Sequence, residues 1–114
     1  MRERVHNLAG QIDGPSDAEQ FHTLLQTAGL HLEHIVSHAQ ITPVGTWYDQ
    51  ARPEWVLLLA GQAELEFFDG QRISLQAGDH LLIAAHRQHR VSFTSLDARW
   101  LALHFQDDPQ NSAS

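Results

Sequence analysis

From residue 30 onward, hydrophobic and polar positions alternate with a period of two. Ala63, Leu65 and Phe67 interleave with Glu64 and Glu66, and Ile73 and Leu75 alternate after the Asp69-Gly70 pair. Successive side chains of a strand point to opposite faces, so this pattern predicts half-buried strands joined by a hairpin turn. Segments near 30–38, 40–50, 54–60, 62–68, 71–76, 80–85, 88–94 and 99–105 all read as strands. Val56-Leu57-Leu58-Leu59 is apolar on both faces, which predicts a central strand.

Ahead of Gly29 the period differs. Phe21, Leu24, Leu25 and Ala28 recur at helical spacing behind a Ser16–Glu19 capping box, with Asp17 in the first turn. The spacing predicts a helix over 17–28 that stops at Gly29. Residues 1–15 carry weak patterning and end in the turn signal Asp13-Gly14-Pro15, and residues 108–114 are polar. The expected organisation is a single domain: an arm over 1–15, a helix over 16–29, a barrel over 30–107 and a tail over 108–114. One short N-terminal helix before seven or eight short strands predicts an all-β sandwich or barrel and not a parallel sheet.

Composition removes several chemistries. All seven basic residues are Arg against 14 acidic ones, giving a net charge of −7 over 114 residues. An acidic balance argues against nucleic acid as a partner. Without Cys there is no disulfide, thiolate ligand or cysteine nucleophile, and without Lys no Schiff base or Gly-Lys-Ser phosphate loop. The longest strongly apolar run, Trp55 to Ala60, is far short of a membrane span, and the first residues lack the apolar stretch of a secretory signal. The expected compartment is the cytoplasm, with no membrane partner. Nine His in so short a chain direct attention to metals or proton chemistry.

Two stretches narrow the reading. Gly45 to Glu54 is followed by Gly61, and Gly78-Asp79-His80 runs through Ala84-Ala85-His86-Arg87-Gln88 to His89. Together they resemble the two motifs of the cupin family, in particular its small conserved-barrel members, over residues 30–105. Glu54 to Gly61 keeps the glutamate-to-glycine spacing of the first motif, and Gly78 to His89 the glycine-to-histidine spacing of the second. Where the first motif has two histidines stand Tyr48 and Gln50, or Trp47 and Asp49 with the longer spacer. Ala84, His86 and Phe93 stand where the second has proline, glycine and asparagine.

The resemblance implies a double-stranded β-helix, or jelly-roll barrel, whose two antiparallel sheets close on a pocket. It also implies a divalent metal held by Glu54 and His89, with Gln50 and His86 as further donors. A site with so much oxygen favours Zn or Mn over Fe or Ni; a pocket without metal is the other outcome. Tyr48, Trp100 and His104 are the expected substrate-facing residues. In such a barrel the last strand runs antiparallel beside the strand that begins at Glu54, which brings His104 to the site if it faces inward. Period-2 alternation puts Asp49 on the face opposite Gln50.

Three function classes follow: a metalloenzyme acting on a small organic molecule, a non-catalytic binding or sensing module using the same pocket, and a cupin with a decayed metal site. Loss of both first-motif histidines moves weight toward the latter two. The expected partners are a small-molecule ligand and a second copy of the chain. For the homodimer, Leu30 to Ala39 is the expected edge strand, with Leu30, Leu32 and Val36 in the core. His31, Glu33, Ile35 and Ser37 are expected on the outward face.

Overall fold

A computed structural model describes residues 2–11 and 18–106. A 3-10 turn over Leu8–Gln11 precedes eight strands: β1 Gln20–Thr27, β2 Leu30–Val36, β3 Glu54–Ala60, β4 Gln62–Phe67, β5 Arg72–Gln76, β6 His80–Ile83, β7 His89–Thr94 and β8 Arg99–Phe105. They form a five-stranded sheet in the order β1-β2-β8-β3-β6 and a three-stranded sheet in the order β5-β4-β7, with every pairing antiparallel. Among the described residues no helix is long and apolar enough to cross a membrane.

The strand count is as expected, but one strand is exchanged for another. The predicted helix over 17–28 is instead β1, hairpinned onto β2 through Ala28 and Gly29. Its register passes from Thr23↔Glu33 to Leu25↔Leu32 and skips Leu24. That bulge absorbs the adjacent leucines that mimic a helical face, since one extra residue resets the alternation. A helix of about twelve residues is marginal alone, whereas β1 gains a full ladder with β2. The supposed capping residue Glu19 accepts a hydrogen bond from the Ser37 hydroxyl at 2.6 Å; Ser16, Asp17 and the turn Asp13-Gly14-Pro15 lie outside the described residues, as does the tail. The barrel therefore begins before residue 30.

The expected strand over 40–50 is an extended strap and not a strand. Pro43 removes a donor and Gly45 adopts φ 89°, so only isolated pairings with β7 remain. The Thr42 N–H donates to the Val91 carbonyl at 2.8 Å, and Tyr48 and His89 exchange backbone bonds at 2.8 and 3.1 Å.

Inside the barrel, Val56, Leu58, Leu65, Leu75, Ala98 and Trp100 form the core. Gly61 of the first motif sits at φ 81°, and a Cβ there would meet the Ala98 Cα at 2.9 Å. Glycine is therefore required both by conformation and by space.

β2 lies between β1 and β8 and is not the expected edge strand, and apart from the buried Val36 its faces are the reverse of those expected. Glu33 and Ile35 line the barrel cavity. Leu30 and Leu32 take the opposite parity and face outward, while Val36, of that same parity, is buried. Paired residues place Leu25, Leu32, Leu103, Trp55 and Leu82 in one row across the outside of all five strands.

Candidate functional site

At the end of the barrel where β3 begins, the interior opens into a cavity of about 270 Å³. Glu54, first residue of β3, is paired in register with His104 of β8, which does face inward. His89, first residue of β7, enters from the other sheet, with the Tyr48 backbone bonded across it. Two sheets thus deliver the two motif residues to one point.

These groups form an alternating chain of imidazoles and carboxylates. His89 Nε2 lies 3.6 Å from Glu54 Oε1, and His104 Nε2 lies 3.2 Å from Glu54 Oε2 and 3.4 Å from Glu33 Oε1. His31 Nε2 continues the chain at 3.9 Å from Glu33 Oε2 and 3.0 Å from the Thr23 hydroxyl. Glu54 is buried, and a buried carboxylate is tolerable only with partners of this kind.

Proton positions follow from the geometry. His89 Nδ1 donates to the Arg87 carbonyl at 2.7 Å. Burial works against a charge on His89, but the Glu54 carboxylate and the Arg87 carbonyl outweigh it and hold the pKa above the usual histidine value. His104 is raised chiefly by its hydrogen bond to Glu33, with the charges of Glu54 and Glu33 adding to it against burial and Arg52. Elsewhere, His34 on the outer side of β2 is pushed down to about 4 by burial, by Arg99, whose Nε donates to His34 Nε2 at 3.2 Å, and by His22.

Of the residues expected as metal donors, Glu54, His89 and Gln50 line the cavity and His86 does not. The His86 Nδ1 pairs with Asp49 at 2.7 Å on the exposed side, and its N–H donates to the Gln50 carbonyl at 2.7 Å. His86 occupies the motif's glycine position at φ 62°, a left-handed conformation that histidine, like asparagine and aspartate, adopts more readily than most residues other than glycine. Gln50 and Asp49 do face opposite ways, as alternation predicts. The Gln50 Oε1 is buried with no hydrogen-bond partner. Among the described residues no group of three or more His, Asp or Glu is placed to hold a metal ion. Both Glu54 oxygens face imidazoles.

Tyr48, Trp100 and His104 all line the cavity. Trp47 stacks edge-on against Phe68 instead, and Trp55 packs on His80. Glu19, Phe21 and Glu33 also reach the cavity and were not among the expected site residues. Glu33 shares its inward parity with Ile35, a signal visible in sequence but assigned to the wrong side. Glu19 and Phe21 were hidden by the helical spacing.

Such a barrel, with the motif glutamate and histidine meeting at its open end, defines a cupin. The cupin-domain family profile matches residues 38–104, more than half of the chain, and the chain belongs to that family. It is similar to a Ralstonia eutropha JMP134 protein that carries the provisional name mannose-6-phosphate isomerase, with 33% identity and a TM-score of 0.85, covering 92% of this chain and 100% of that one. A cupin-superfamily protein of Desulfitobacterium hafniense DCB-2 shares the fold at 21% identity and a TM-score of 0.74, with 94% of each chain covered. A double-stranded β-helix cupin of Methanocaldococcus jannaschii does so at 13% identity and a TM-score of 0.68, covering 100% of this chain and 99% of that one. No curated protein matches the chain.

Proposed function

We propose that this cupin binds a small organic molecule in its barrel cavity, with Glu54, His89 and His104 as the polar contacts. One observation carries the reading: a buried carboxylate shared by two imidazoles stands on the wall of an open cavity that Phe21, Ile35, Val56, Ile83 and Trp100 also line. Convergent polar groups in an apolar recess are what small-molecule sites are made of. With its Nε2 facing two carboxylates at once, His104 bears a proton that it can give to a bound molecule and take back. The test is a thermal-shift screen of metabolites against the protein and its Glu54→Gln variant. A ligand that stabilises the first and not the second is expected; equal stabilisation of both would place binding elsewhere.

The isomerase name of the Ralstonia neighbour fits this cavity poorly. A sugar phosphate needs cationic partners, yet among the described residues no Arg lines the cavity, and the chain has no Lys. A divalent ion at Glu54 and His89 is a second reading, favoured by the unpartnered Gln50 carbonyl on the same wall. Elemental analysis of protein purified without added metal decides it: a stoichiometric ion lost in His89→Ala supports that reading, and its absence excludes it.

We further propose that the chain pairs through the outside of the five-stranded sheet. The row Leu25-Leu32-Leu103-Trp55-Leu82 contains no charge, and Leu25 and Leu82 are 53% and 60% exposed. A second copy covers it without bringing like charges together. Light scattering is expected to give twice 12.9 kDa, falling to one chain in Leu103→Arg. A single-chain mass for the unaltered protein would overturn the pairing.

A further inference from the structure

We infer that the cavity selects an organic cation, an amine or ammonium with apolar substituents. This rests on the cavity being a ligand site and adds the class of ligand. The first support is the sign of the charge. Glu19, Glu33 and Glu54 all reach the cavity, and no Arg among the described residues does. With those carboxylates ionised, two imidazoles offset at most two of the three negative charges. The cavity stays negative whatever the protonation of His89 and His104. The Gln50 Oε1 has no donor to compensate it and leaves the negative end of a carbonyl dipole in the wall.

The second support is the character of the rest of the lining. Phe21, Tyr48 and Trp100 contribute aromatic rings. Their faces attract a cation and pack equally well against its alkyl or aryl substituents. Phe21 and Tyr48 are 58% and 46% exposed, and the Tyr48 ring lies 5.7 Å from that of His89. Each carboxylate oxygen has a second lone pair that can accept from an ammonium beside its present partner, whereas a carboxylate or phosphate ligand meets like charge and loses its hydration without replacement. At about 270 Å³ the space suits a small amine, just below the usual range of about 300–1,000 Å³ for ligand sites.

Three probes of one shape separate the alternatives: benzylamine, benzyl alcohol and benzoate, titrated into the full chain after EDTA treatment. Binding is followed by the Trp100 indole and Gln50 side-chain amide signals in nitrogen-15 NMR spectra. Benzylamine is expected to move both signals and to bind at least about tenfold more tightly than benzoate, with benzyl alcohol between them. Glu33→Gln is expected to weaken benzylamine about fivefold or more while leaving benzyl alcohol unchanged. If Glu33→Gln does not fold, Tyr48→Leu removes an exposed aromatic face and is expected to weaken benzylamine more than benzyl alcohol. Glu66→Gln, outside the barrel, serves as the control with unchanged affinity. Benzoate or mannose 6-phosphate binding more tightly than benzylamine would overturn the cation and leave the cavity a ligand site. If no probe moves Trp100 or Gln50 at millimolar concentration, both readings fall.

Discussion

The two ends of the barrel interior are built on the same strands and do opposite things. On β3, Glu54 begins the strand at the open end and Leu58 lies four residues further in, fully buried. On β8, Trp100 and Ala102 belong to the core and form the part of the cavity lining that meets it, and His104 on the same face lines the open part. The inner end closes because apolar side chains from both sheets interdigitate and exclude water. The outer end stays open because its polar side chains satisfy one another and leave room beside them. The inner end supplies stability, while the outer end uses some of it to hold charge where a ligand can meet it.

The contrast fails first at Leu58 if it fails at all. Leu58→Ala leaves a cavity among side chains that cannot collapse, and a loss of about 3–5 kcal/mol in urea unfolding is expected. A loss below about 1 kcal/mol would mean that the inner end is not the core.

Glu54→Gln sharpens the comparison through pH. His89 and His104 have pKa values raised in the folded protein. Their stabilising contribution is therefore complete below the unfolded value of about 6.5 and is lost as pH rises through the folded values. Glu54→Gln is expected to cost about 1.5–3 kcal/mol below pH 6.5 and progressively less above it. A difference that does not vary with pH would show that Glu54 is not the partner of these imidazoles. The smallest effect is expected at Gln50. Gln50→Leu removes a buried acceptor that has no donor and should be neutral or stabilising by up to about 1 kcal/mol. A clear destabilisation would reveal a partner for that carbonyl.

The inner end is also the more legible of the two in the sequence. Strands β3 to β8 follow from alternation because their core positions are apolar and their turns carry Asp69-Gly70 and Gly78. Glu54, His89 and His104 were reached through motif spacing and the expected antiparallel pairing of β3 with β8. The β1–β2 hairpin was not legible, for two physical reasons. A bulge at Leu24 restores a spacing that mimics a helix. On β2, alternation shows that the two faces differ but not which is inside. The usual rule that apolar means inward gives the wrong side here, because the outside of the five-stranded sheet is itself apolar. Glu33, Glu19 and Phe21 escaped for the same two reasons. His86 illustrates the converse, since motif position placed it beside His89, but its backbone turns it outward to Asp49.

The central claim is that Glu54 joins the two imidazoles at the open end, as the carboxylate partner of His89 and, beside Glu33, a second one for His104. The most direct test is an NMR titration of the histidine side chains in the protein and in Glu54→Gln. His89 and His104 are expected to titrate above 6.5. His34 is expected near 4. His89 should fall in the variant, His104 should fall less because Glu33 still faces it, and His34 should not move. If His89 titrates at or below 6.5, or keeps a raised value after Glu54→Gln, the open end is not organised around Glu54.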